Sequence, residues 1–127
     1  MNKASVDKYI PAAYDALKTS DIVGKDGKID PAFRGQIATF GAAVSMGSLL
    51  SAIAFFSEKD KSAVDRPKLL DALFRVLQSD GMDAKYQNLY QYTADCPDCQ
   101  EEVLNAAIAL KLAINLYPKR DKDAKRG

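Results

Sequence analysis

The residues whose types and spacing could do chemistry are Cys96-Pro97-Asp98-Cys99, which hold the chain's two cysteines. Two thiolates three positions apart can pinch a metal ion or close a small disulfide ring. A structural zinc site takes four ligands, and the chain has no second cysteine pair and no histidine. A monomeric zinc site would need carboxylates, whereas a two-fold dimer would supply four thiolates. A helix beginning at this turn would lower the pKa of Cys99 through its positive end. Redox use of such a pair goes with a thioredoxin-like βαβ pattern, and none is present. Three readings stand for the pair: structural thiols or a local disulfide, a metal shared with another chain, and redox chemistry.

The carboxylates do not assemble into a site by spacing. Glu101-Glu102 opens the last predicted helix, where negative charge suits the positive end of the helix dipole. Asp80 and Asp83 flank Gly81 and read as a helix stop and a helix cap. The commonest general base at neutral pH is missing with histidine. The chain is therefore expected to be non-catalytic, with no cofactor and no metal of its own.

The basic residues are more suggestive. Arg66, Lys68 and Arg75 lie around the fourth predicted helix. Lys111 interrupts the apolar run Ala109-Leu110-Lys111-Leu112-Ala113, and Arg34 precedes the glycine-bearing face of the second helix. Formal net charge is only +1, so a polyanion would have to be met by a local patch. If these side chains converge, they bind phosphates without reading sequence. If they do not, they are ordinary solvated charge.

The elements that position these residues are helices. The chain has 127 residues, of which 47% are hydrophobic, enough for one domain with its own core. Residues 1–118 are expected to form a single helical domain. Residues 119–127, with five basic and two acidic side chains, are expected to form a disordered tail. The first helix is predicted over 5–19, capped by Ser5 and distorted at Pro11. Residues 20–30 read as a loop, and Asp30-Pro31 as cap and first residue of a second helix running to Met46. Phe33, Ile37, Phe40 and Val44 make one stripe of that helix. Gly35, Ala38, Gly41, Ala42 and Ser45 make a small-residue face, suited to close packing of another helix or to a ligand or nucleic-acid backbone near Gly41.

Gly47-Ser48 breaks the chain before a short apolar helix, Leu49 to Ser57, expected to be buried on most sides. A solvated connection over 58–62 follows. Pro67 opens a fourth helix striped by Leu69, Leu70, Leu73, Val76 and Leu77 and ended by Asp80-Gly81. Asp83 is expected to cap a fifth helix carrying Tyr86, Leu89, Tyr90 and Thr93. The last helix is predicted over about 98–117, stopped by Pro118. No apolar run reaches the length of a membrane span, and residues 1–7 lack the apolar core of a signal peptide. These features predict an all-α, compact bundle of about six helices in a cytoplasmic protein.

Phe40-Gly41-Ala42, followed by an apolar run and Leu49-Leu50-Ser51-Ala52-Ile53-Ala54-Phe55-Phe56, resembles the signature of the small, all-helical subunit of the type III-B CRISPR effector, the Cmr complex. Arg34-Gly35 before it and Asp65-Arg66-Pro67 after it fit the same pattern. That family usually has Ser-Gly before the Leu pair and Pro after it, where this chain has Gly47-Ser48 and Ser51. The similarity spans roughly residues 5–117, and its specific part is 33–57. It implies a non-catalytic subunit whose copies stack as a short filament inside an RNA-guided complex. Its implied partners are the other Cmr subunits, further copies of itself, and CRISPR RNA and target RNA met through their backbones, with no membrane. The RNA-facing set would be Arg34, Arg66, Lys68, Arg75 and Lys111. Tyr86, Tyr90 and Tyr92, if exposed, could stack on bases. Two other readings remain: a small subunit of a sister type III complex, and a thiol-dependent metal or redox module centred on Cys96 and Cys99.

Overall fold

The computed structural model describes residues 2–58 and 65–120. Six α-helices follow one another among them: α1 (Lys3–Thr19), α2 (Ala32–Met46), α3 (Leu49–Ser57), α4 (Arg66–Gln78), α5 (Leu89–Asp95) and α6 (Gln100–Ile114). The fold is the all-α bundle that the periodicity predicts. None of the described helices is long and apolar enough to cross a membrane.

α6 packs against α1, α2 and α4 and lies among these three. Its sequence explains this. Val103, Ala106, Ala107, Ala109, Leu110, Ala113 and Ile114 are all buried, and four of these are alanines, which let several neighbours come close. α3 packs on α2, α4 and α5 and closes one side. The predicted stripe of α2 is the buried one: Phe33, Ile37, Phe40 and Val44 face the core. Phe40 meets Phe56 of α3 edge to face, with ring centroids 5.4 Å apart. Burying a phenylalanine contributes about 1.5–3 kcal/mol, and such a ring pair adds about 0.5–1.5 kcal/mol.

The helix ends follow local chemistry. α1 starts two residues earlier than expected, because the Asn2 side chain, not Ser5, caps it by accepting the Ser5 N–H. Pro11 stays inside α1 on its exposed side. Water can therefore reach the Asp7 carbonyl that proline cannot bond. Asp30 Oδ1 accepts the Ala32 N–H at 2.9 Å and fixes the start of α2. Ser48 does the same for α3, accepting the Ser51 N–H at 3.1 Å. Gly81, at φ 88°, ends the turn after α4 in a left-handed conformation that suits glycine.

Four expectations need correction. α3 is not buried on most sides: Leu50 and Phe55 are 43% and 55% exposed, since only the Leu49, Ala52, Ile53 and Phe56 face meets the core. α5 begins at Leu89, not near Asp83. The Asp83 carboxylate turns back on the Lys85 N–H, and Asn88 is the residue that caps the helix. α6 ends at Ile114, and a turn carries the chain through Tyr117. Finally, the small-residue face of α2 is not covered by another helix among the described residues. Gly35, Ala38, Ala42 and Ser45 are exposed, and a Cβ placed on Gly35 or Gly41 would meet no atom within 4 Å.

The basic stretch after Pro118 begins in fixed positions. Ile29 donates its N–H to the Pro118 carbonyl at 3.0 Å, and its own carbonyl accepts the Arg120 N–H at 2.8 Å. Arg120 also lies 3.7 Å from Asp26. The 20–30 loop is thereby tied to the segment that leaves α6. The rest of the expected tail, 121–127, and the connection over 59–64 lie outside the described residues.

Candidate nucleic-acid interface

The cysteine pair sits where the sequence puts it, at the start of α6, and both thiols are free. Cys99 is buried, and its thiol donates to the Cys96 carbonyl at 2.7 Å. Burial, and then hydrogen bonding with the Cys96 side chain, push the Cys99 thiol up to about 12. That is opposite to the lowering expected from a helix N-terminus: loss of solvation outweighs the dipole. Thiolate chemistry at Cys99 is suppressed rather than promoted. Among the described residues no three of His, Cys, Asp or Glu are grouped to hold a metal ion.

The basic residues divide into two sets. Those of α4 are engaged within the chain. Arg66 Nε donates to Gln36 Oε1 at 3.0 Å. Its guanidinium also lies over the rings of Phe55 and Phe56, 5.1 and 5.3 Å from their centroids. Lys68 reaches the Asp21 carbonyl at 3.3 Å. Arg75 pairs with Asp71 one turn back at 2.9 Å. Each of the three thus has a partner of its own.

Arg34 and Lys111 are brought together, and a third cation, Lys119, joins them. The first turn of α2 lies beside the last turn of α6. There Arg34, Gly35, Lys111 and Lys119 border one hollow of about 370 Å³. No ion pair or hydrogen bond engages these three cationic side chains among the described residues. Like charges share a small volume there, beside the positive end of α2. Lys119 is not legible in the sequence because it belongs to a charged run. What places it is the pairing of Ile29 with the segment after α6, and only Pro118 hints that the chain turns there.

Next to the hollow lies a groove of about 500 Å³ between α2 and α6. The small-residue face of α2 forms one wall, with Ala38, Gly41 and Ala42. Leu104 and Ile108 of α6 form the other, and Ala38 and Lys111 belong to both spaces. Glu101 stands in the groove away from the cations. Asn105 also lines it and is only 4% exposed. Its Oδ1 accepts the Asn2 N–H at 3.3 Å, and its amide NH2 has no hydrogen-bond partner among the described residues. Nothing in the sequence marks Asn105 beyond its position as a polar residue inside the most apolar helix.

The tyrosines are mostly engaged. Tyr86 and Tyr92 pack edge to face, with centroids 5.5 Å apart, and their hydroxyls donate to Asp95 and Glu102. Only Tyr90 of the three presents an open ring, at 54% exposure.

Compared with family models, with curated proteins and with solved structures, the chain matches none.

Proposed function

We propose that this chain is a non-catalytic small subunit of an RNA-guided CRISPR type III-B (Cmr) ribonucleoprotein, acting in antiviral defence in the cytoplasm. Copies stack on one another and on the other Cmr subunits, and support the channel in which CRISPR RNA pairs with target RNA. The observation that carries this reading is the convergence on one hollow of Arg34, Lys111 and Lys119, none of which is in an ion pair or hydrogen bond among the described residues. It supplies the local patch that a net charge of +1 cannot. The all-helical bundle agrees with the family that residues 33–57 resemble. The family resemblance supports the RNA partner and the complex; the cationic hollow supports contact through phosphate.

Cations at such a patch neutralise backbone phosphates and release counterions, so binding must weaken with salt. Three contacts to a single strand give a log–log slope of about −2, or about a twentyfold loss between roughly 50 and 200 mM salt. The test is a salt titration of the isolated chain against single-stranded RNA. The wild type should show that slope. Lys111→Glu with Lys119→Glu should flatten it, whereas binding that ignores salt contradicts the phosphate reading. A sister type III complex would use the same chemistry, and co-purification with one set of backbone subunits separates the two.

A further inference from the structure

We propose that the α2–α6 groove and its cationic mouth form one site for a single unpaired nucleotide. The phosphate is held at Arg34, Lys111 and Lys119, and the base lies on the Ala38–Gly41–Ala42 face within reach of Asn105. This rests on the RNA reading above and deepens it by naming what enters the groove.

Three observations point to this ligand. The two spaces are adjacent, sharing Ala38 and Lys111 in their linings. At 1.5 Å rise per residue, Ala38 and Gly41 lie about 6 and 10 Å along α2 from Arg34, so one ligand can reach from the mouth onto the glycine face. The groove volume of about 500 Å³ lies within the range of small-molecule sites.

The second observation is the sign of the charges. Cations crowd the mouth, whereas Glu101 stands within the groove. A ribose–phosphate chain running the length of the groove would bring phosphates to Glu101, which repels them. A nucleotide with its phosphate at the mouth and its uncharged base inside satisfies both ends.

The third is the polar group in an otherwise apolar wall. Asn105 is 4% exposed and lines the groove, with its Oδ1 held by the Asn2 N–H. That bond fixes the side chain, and its amide NH2 makes no hydrogen bond among the described residues. A base presents acceptors for this donor, in a ring nitrogen or a carbonyl oxygen. The bare backbone at Gly41, where a Cβ would meet no atom within 4 Å, leaves room for a flat ring against the helix. No aromatic side chain lines the groove, so the base is held by apolar contact and one hydrogen bond, without ring stacking.

The test measures binding of the full chain, at low salt, to a single-stranded RNA and to a continuous RNA duplex of the same sequence. Paired bases cannot enter the groove, so the wild type should favour the single strand by about tenfold, the worth of one modest contact. Gly41→Leu fills the groove at a position with open space and replaces glycine by a better helix former. A thermal melt checks that it folds. It should abolish the preference for the single strand. In amide spectra of the wild type, adenosine monophosphate should shift Gly41 and the Asn105 NH2, whereas inorganic phosphate should shift residues at the mouth alone. If folded Gly41→Leu keeps the full preference, or the nucleotide shifts only the mouth, the inference is overturned and the phosphate reading stands. If the wild type binds neither RNA, the RNA reading falls and the inference with it.

Discussion

The side chains that matter here are told apart by whether they have partners. Arg66, Lys68 and Arg75 are engaged with Gln36, Asp21 and Asp71, whereas Arg34, Lys111 and Lys119 are not engaged among the described residues. Reversing one of the latter three should reduce the salt slope of RNA binding by about 0.7 for each phosphate that is no longer held. Arg75→Glu should leave the slope nearly unchanged, and a salt titration of each variant compares them. The cysteines give a second expectation. With Cys99 buried and its pKa raised from 9.0 to about 12, a thiol reagent at pH 8 should modify the half-buried Cys96 in the native protein. Cys99 should react only after denaturation. The same shift has a stability consequence. The folded state favours the protonated thiol, so its contribution is fully present below pH 9.0 and is lost as pH rises from there towards about 12. A urea midpoint that falls over that window in wild type, and less so in Cys99→Ala, checks it. The sequence shows where the cysteines lie but not the sign of their perturbation. The dipole of a helix start is local, whereas the desolvation that outweighs it comes from the whole surrounding bundle.

Helices are legible where their apolar period is strong. The Phe33–Val44 stripe of α2 and the Leu69–Leu77 stripe of α4 are buried as the spacing predicts. Phe56→Ala should therefore cost about 3–5 kcal/mol in chemical denaturation, because it removes a fully buried ring and the partner of Phe40. Less legible is what faces outward. α3 is apolar all round, which pattern alone reads as burial, yet only half of it is covered. Leu50 and Phe55 stay open, with Phe55 partly shielded by the Arg66 guanidinium. The start of α5 is ambiguous in sequence because Asp83 and Asn88 are both good caps. Only the burial of Leu89 decides between them. The small-residue face of α2 has the clearest consequence. Glycine in a helix costs about 1 kcal/mol against alanine, and nothing among the described residues needs the space at Gly41. Gly41→Ala should thus raise stability by about 1 kcal/mol, read as a higher urea midpoint with unchanged slope. A destabilised variant would mean that the face is packed after all.

For the molecule as a whole, fold class and helix number can be read from residues, while the candidate site cannot. The groove exists because α6 lies beside α2 without covering its glycine face. The cationic mouth exists because Ile29 holds the segment carrying Lys119 next to the first turn of α2. Both are products of tertiary placement, and a one-dimensional pattern holds only their ingredients. The functional account joins that surface to the family resemblance of residues 33–57. Its most direct test is to purify the tagged chain from its native host, identify the chains that come with it and sequence the RNA in the eluate. The account predicts a set of CRISPR effector subunits with spacer-derived RNA, and loss of that RNA, or of its salt resistance, when Lys111 and Lys119 are reversed. Recovery of the chain alone, free of RNA and of effector subunits, would contradict it.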